Sequence, residues 1–242
     1  MFNINDIKLI HGDCLEEMGK LINKGIKVDM ILCDLPYGTT KNKWDIMIDL
    51  DRLWDCYKKI IKENGAIVLF SQTPFDKALG YSNLKWLKYE WIWQKNIATG
   101  HLNAKKLPMK EHENILVFYK KLPTYNPQMT QGEPYINKRK KYNDSGNNYG
   151  YIERTDTINK GVRYPKSILK FDRQIGLHPT QKPIDLCEYF VKTYSNKNEL
   201  VLDNCMGSGT TGVACKNLNR KFIGIELDEN YFNIAKDRIE NT

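Results

Sequence analysis

The chain alternates short apolar runs with segments of helical periodicity. Val28–Cys33, Ala66–Phe70, Leu200–Leu202 and Lys221–Leu227 are runs bounded by turn-forming residues, the pattern of buried strands, and Glu90–Trp93 and Asn114–Tyr119 add two more. Between them, Leu50–Glu63 places Leu53, Trp54, Tyr57, Ile60 and Ile61 on one helical face, and Gly65 follows as a stop. Ile184–Tyr194, opened by Pro183, and Glu229–Ile239 show the same spacing. Strands alternating with helices predict an α/β fold, a mostly parallel sheet with helices on both faces. Trp91 and Trp93, at alternate positions of one strand, are expected in the core. No internal repeat is present.

Residues 120–173 break this rhythm, with little apolar periodicity and many Tyr, Asn, Gly and Lys residues. A structureless loop of that length is uncommon in a compact domain unless it is functional or a small subdomain. The expected organisation is therefore one half-domain at 1–119, an insert at 120–173 and a second half-domain at 174–242.

Charge sharpens that division. The 242 residues carry 37 Lys plus Arg against 29 Asp plus Glu, a formal charge of +8. Twelve basic and five acidic residues fall within 120–173, so nearly all the excess is local. Hydrophobic residues make up 41% and aromatics 11%, which excludes a disordered polycation. No apolar run approaches the roughly 18–20 residues that span a bilayer. Met1–Leu21 carries Asp6, Asp13, Glu16 and Glu17 where a secretory signal would be basic and then apolar, so a cytoplasmic protein is expected. The six cysteines form no C-x-x-C pair and no zinc-ligand spacing, so reduced, mostly buried thiols and no metal are expected.

Two turns carry the candidate chemistry. In Glu199–Ala214 a buried strand ends at Asp203, and Gly207-Ser208-Gly209 turns the chain into a helix begun by Thr210 and Thr211. Such glycines let a ligand approach backbone N–H groups at a helix N-terminus. The next strand ends at Glu226, 23 residues after Asp203, where an acid can hold a ribose hydroxyl. The spacing matches neither the dinucleotide G-x-G-x-x-G nor a P-loop, and fits a cofactor that has adenosine but no phosphates. In Val28–Thr40 another buried strand ends at Asp34-Leu35-Pro36-Tyr37, with Gly38 closing the turn. Carboxyl ends of strands in open α/β sheets are where ligands bind.

Asp34-Leu35-Pro36-Tyr37 resembles the Asp-Pro-Pro-Tyr catalytic motif of amino-group DNA methyltransferases that use S-adenosylmethionine. The turn from Asp203 to Thr211 resembles their cofactor motif. His178-Pro179-Thr180-Gln181-Lys182-Pro183 resembles a signature lying near the cofactor's methionine part, and Ile10-His11-Gly12-Asp13-Cys14 the segment that packs on its adenine. The order, catalytic motif first, then a basic variable region, then cofactor motif, resembles the β-class. Leu35 stands where the family has proline, and Asn204-Cys205 where it has Pro-Phe.

The resemblance implies a Rossmann-like methyltransferase fold in circularly permuted order with an inserted target-recognition region. It implies S-adenosylmethionine as cofactor, duplex DNA as partner, and DNA methylation of the restriction–modification kind; members of the class often pair, so a homodimer is an expectation. Asp34, Leu35, Pro36 and Tyr37 would be catalytic: the Asp34 side chain and the Leu35 carbonyl accept the hydrogens of the target amino group, and Tyr37 stacks on the flipped base. Asp13, Cys14, His178, Thr180, Lys182, Asp203, Cys205, Gly207, Ser208, Gly209, Thr210, Thr211, Glu226 and Leu227 would contact the cofactor. Lys138, Arg139, Lys140, Lys141, Arg154 and Arg163 would contact DNA. Lys95 and Asn96 fall in a region similar to one near the target base. In the family, Asp at the first position of the quartet goes with N6 of adenine. The alternatives are an N4-cytosine enzyme, a DNA-binding module without activity, and a methyltransferase acting on RNA or a small molecule.

Overall fold

A computed structural model describes residues 7–38, 46–138, 156–174 and 181–242. It divides into two compact units, one of residues 1–126 with 167–242 and the other Pro127–Lys166. In chain order the strands are β1 (Ile7–His11), β2 (Val28–Asp34), β3 (Ile61–Ser71), β4 (Leu87–Thr99), β5 (Lys110–Phe118), β6 (Thr130–Gln131), β7 (Tyr135–Asn137), β8 (Thr157–Asn159), β9 (Val162–Arg163), β10 (Ile168–Lys170), β11 (Leu200–Asp203) and β12 (Lys221–Glu226). The helices are α1 (Cys14–Asn23), α2 (Leu50–Ile60), α3 (Phe75–Ser82), α4 (Ile184–Tyr194), α5 (Thr210–Asn217) and α6 (Glu229–Glu240).

The larger unit is one eight-stranded sheet in the order β1-β12-β11-β2-β3-β5-β4-β10. All its pairings are parallel except those of β5, which runs against β3 and β4. The strands are read easily because both faces are covered. Met30 and Leu32 of β2, with Ala66, Val68 and Phe70 of β3, face a core shared with α4, α5 and α6. Ile31, Cys33, Ile67 and Leu69 face the opposite core, shared with α1, α2 and α3. This period-two division of an almost wholly apolar run is what a sheet buried on both sides requires. Trp91 and Trp93 are buried, as the alternation on β4 predicts. All six cysteines are free thiols.

Three of these helices, α1, α2 and α6, begin on acidic caps. Asp13 accepts from the Leu15 and Glu16 amides, Asp49 from those of Asp51 and Arg52, and Asp228 from those of Asn230 and Tyr231. Each cap is worth about 1 kcal/mol of helix stability. α2 buries Leu53, Trp54, Tyr57 and Ile60 but stops at Ile60, three residues short of the periodicity-based boundary. Ile61 instead opens β3 and pairs with Val28. A residue buried from a strand and one buried from a helix look alike in an apolar pattern.

Pro127–Lys166 is shorter at both ends than the 120–173 span. Asn126 is tied to the larger unit through Thr193, and β10 joins the large sheet beside β4. Within this smaller unit β6 pairs with β9 and β7 with β8, both antiparallel. The Arg163 side chain holds these pieces together: it donates to Asn159 Oδ1 and the Glu133 carbonyl, and lies 4.7 Å from the centre of the Tyr135 ring.

Candidate active site

β2 and β11 are neighbours in the sheet, yet the chain leaves them in opposite directions, β2 towards β3 and β11 towards β12. Helices therefore pass to either side, opening a crevice beyond the carboxyl ends of these two strands. Asp34 and Asp203 are their last residues. The crevice is a pocket of ≈ 580 Å³, in the range of small-molecule sites.

All four residues of the Asp34–Tyr37 quartet line the pocket, as do Asp13, Cys14, Lys182, Asp203, Cys205, Gly207, Ser208, Thr210, Thr211, Glu226 and Leu227. Gly209 does not line it. Its φ is +78°, and a Cβ there would lie 2.9 Å from Ala235 Cβ, so this glycine makes room for α6. Gly207, at φ +50°, has open space where its Cβ would be. His178 and Thr180 lie outside the described residues, as do Arg139, Lys140, Lys141 and Arg154. Lys138 is exposed beyond β7. Arg163 is engaged within its own unit, as described above.

The cofactor-motif side of the pocket is built from oriented backbone and two acids. Glu226 accepts from the Gly207 amide at 2.8 Å and the Asp228 amide at 2.9 Å, which fixes its carboxylate at the pocket wall. Burial raises its pKa despite those amides. Asp203 is buried more completely, and burial pushes its carboxyl up to about 7. Arg238 of α6 donates to the Ser208 carbonyl at 3.1 Å and to Thr210 Oγ1 at 3.1 Å, locking the glycine turn from behind. Asn204, where the family has proline, accepts from the buried Tyr57 hydroxyl at 2.6 Å, and Leu35 packs into the core. Both departures from the motif are thus satisfied locally.

The side of the pocket around Asp34 is ionic. Tyr37 Oη donates to Asp34 Oδ1 at 2.7 Å, and Lys182 Nζ pairs with Asp34 Oδ2. Lys182 Nζ also lies 3.5 Å from Glu113 Oε2, and Lys95 Nζ lies 2.6 Å from Glu113 Oε1. Burial works against the Glu113 carboxylate, but the two ammonium groups outweigh it and hold its pKa below the usual carboxylate value. Burial likewise disfavours the Lys182 charge, and Asp34 and Glu113 outweigh it and raise that pKa. Burial, with the Asp34 and Glu113 carboxylates nearby, pushes the Tyr37 phenol well up, so it stays a neutral hydrogen-bond donor. Phe75 stacks on the Tyr37 ring at 5.1 Å.

Glu113 and Arg238 have no motif in the sequence to mark them. Lys95 had only a regional resemblance. Asn96 accepts from the Arg173 amide at 3.1 Å and does not line the pocket.

Residues 28–237 match the family model for DNA methylases of the N6 and N4 type. The chain belongs to this DNA methylase family. The Type II methyltransferase M.HpaI of Haemophilus parainfluenzae is 26% identical over 98% of this chain and 75% of its own length. The DNA adenine methyltransferase YhdJ of Escherichia coli (strain K12) is 28% identical over 96% of this chain and 82% of its own. Among solved structures, the M1.HpyAVI–SAM complex superposes with a TM-score of 0.67 at 29% identity, covering 96% of this chain and 98% of that one. The cytosine-N4-specific PvuII DNA methyltransferase has a TM-score of 0.68 at 16% identity, over 97% of this chain and 88% of that one, which is a likeness of fold. The methylase is therefore a DNA methyltransferase of α/β fold with a mainly parallel central sheet. Among its described residues no helix is long and apolar enough to cross a membrane.

Proposed function

We propose that this methylase transfers a methyl group from S-adenosylmethionine to the N6 amino group of an adenine flipped out of duplex DNA. The observation that carries the reading is the shared pocket, with the Asp34–Tyr37 turn on one wall and the Asp203–Thr211 turn on the other.

The residues present fit the cofactor. Glu226, oriented by two backbone amides, suits ribose hydroxyls. Asp203 is a buried acid pushed to about 7 that belongs to no ion pair among the described residues, and a cationic ligand would favour its charged form. Gly207 leaves space at the pocket wall. When bound, S-adenosylmethionine supplies an electrophilic methyl group on a sulfonium centre.

The chain's own residues act on the amine. An exocyclic amino nitrogen is a weak nucleophile because its lone pair is delocalised into the ring. N–H donation to Asp34 Oδ1 and to the Leu35 carbonyl favours a pyramidal nitrogen with the lone pair out of the ring plane. Pro36 fixes the backbone of the turn that presents this carbonyl. To reach Asp34 Oδ1 the amino group takes the place of the Tyr37 hydroxyl, freeing Tyr37 to stack on the base. Orientation and exclusion of water then account for much of the acceleration. The basic residues around Lys138 to Lys141 would contact phosphates, making affinity fall with salt.

Adenine is favoured over cytosine by Asp34 at the head of the quartet and by the adenine specificity that the name of YhdJ states for that relative. The test is incubation with radiolabelled S-adenosylmethionine and duplex DNA, followed by digestion to nucleosides. Label in N6-methyladenine is expected. Label in N4-methylcytosine would reverse the choice of base, and unlabelled DNA would overturn the reading.

A further inference from the structure

The motif resemblance groups Lys182 with the cofactor ligands, and in the structure its ammonium is engaged by two carboxylates. Nζ pairs with Asp34 Oδ2, approaches Glu113 Oε2 at 3.5 Å, and lies 5.3 Å from the centre of the Phe70 ring. Glu113 Oε2 is buried, and among the described residues the Lys182 ammonium is the charge that compensates it. Lys95 takes the other Glu113 oxygen, and its own ammonium lies 5.1 Å from the Trp93 ring. The chain Asp34–Lys182–Glu113–Lys95 thus alternates in sign and crosses β2, the segment leading into α4, β5 and β4. The Lys182 and Lys95 side chains are only 8% and 9% exposed.

The catalytic carboxylate has two oxygens and two different neighbours. Oδ2 faces a cation anchored from behind by a second carboxylate, and such a buried, charge-assisted contact is not readily exchanged for water. Oδ1 faces the neutral Tyr37 hydroxyl, a contact that an incoming amino group can replace one for one. We propose that Lys182, anchored by Glu113 and Lys95, is a positioning residue: it fixes Asp34 through Oδ2 and so presents Oδ1 to the target amine. This rests on the methyl-transfer reading above and adds a role from the cofactor half of the chain to the catalytic turn. A lysine in this place acts on the rate of transfer, whereas a cofactor ligand would act on cofactor affinity.

The experiment compares wild type with Lys182→Met, Lys182→Arg and Glu113→Gln. Single-turnover labelling of duplex DNA gives the transfer rate, and calorimetric titration with S-adenosylmethionine gives cofactor affinity and a check on folding. Lys182→Met is expected to slow transfer by ~10²–10³-fold, the size of effect seen when one preorganised polar contact to the reacting group is lost. Cofactor affinity should change by less than about threefold, the signature of an interaction that acts on the rate of the step. Lys182→Arg, which keeps the cation, should recover at least ~10-fold of the loss, and Glu113→Gln should fall between the two. If Lys182→Met does not fold, the Arg and Gln variants decide the matter by the same two readouts. A Met or Gln variant that transfers at the wild-type rate would overturn the proposal, as would a loss confined to cofactor affinity or an Arg variant no faster than Met. Failure of the wild type itself to label DNA would instead strike at the methyl-transfer reading.

Discussion

Two aspartates end neighbouring strands of one sheet, Asp34 on β2 and Asp203 on β11, and their electrostatic settings are opposite. Asp34 is paired with the Lys182 ammonium and accepts from the Tyr37 hydroxyl. Asp203 is more deeply buried, has no cationic partner among the described residues, and is pushed up to about 7. Two like groups within one crevice take separate roles when their surroundings differ. The difference separates a carboxylate whose counter-charge the protein supplies from one whose counter-charge is left to a ligand. The first suits the holding of a neutral amine, and the second the holding of a cationic cofactor.

The sharpest way to break this comparison is to remove each acid in turn. Asp34→Ala should lower the transfer rate by at least ~10³-fold, since it removes the side-chain acceptor for the amine and takes from the buried Lys182 one of its two carboxylates. S-adenosylmethionine should still bind to this variant. Robust residual turnover, measured by label incorporated into DNA, would end the assignment of Asp34.

Asp203 should instead show itself in stability. Its folded carboxyl titrates near 7, above its ordinary value of 3.8, so between those pH values the folded state binds the extra proton. Stability from this group is complete below about pH 4 and is lost as pH rises through 7, by at most ~4 kcal/mol. Urea denaturation of the ligand-free protein from pH 4.5 to 8 should therefore show wild type losing stability relative to Asp203→Asn. Parallel curves for the two proteins would place Asp203 in a polar setting like that of Asp34 and dissolve the contrast.

How much of this was legible in the sequence follows from how local each feature is. The glycine turn and the Asp34–Tyr37 quartet are contiguous, and each strand that leads into them is a continuous apolar run because both sheet faces are covered. The ionic chain is not contiguous: Lys182 and Asp34 are 148 residues apart, and the contact between Tyr57 and Asn204 spans 147. Nothing in the local pattern around Glu113 marks it as the acid that anchors Lys182. The packing of Gly209 is hidden for a related reason. A Gly-x-Gly turn looks the same whether the second glycine faces a ligand or a helix, and only the position of Ala235 decides. The basic insert was visible as charge, but the contacts that engage Arg163 with Asn159, Glu133 and Tyr135 belong to its fold.

The two glycines of that turn give the smallest and most discriminating effects. Both have positive φ, so a side chain at either costs roughly 1 kcal/mol in backbone strain. At Gly209 a methyl would also lie 3.1 Å from Ala235 Cα, a backbone atom that cannot move without shifting α6. Gly209→Ala should therefore lose ~2–4 kcal/mol of stability by denaturant titration, strain and overpacking together. At Gly207 nothing lies within 4 Å of the added atom, so the stability loss should stay near 1 kcal/mol. The methyl would enter the pocket that Gly207 lines, and S-adenosylmethionine affinity should fall by about tenfold, or ~1.4 kcal/mol. Gly209→Ala should leave that affinity less changed wherever the variant remains folded. The opposite ranking, with Gly207 the more damaging to stability and Gly209 to cofactor affinity, would mean that the turn meets its ligand through the residue now packed against α6.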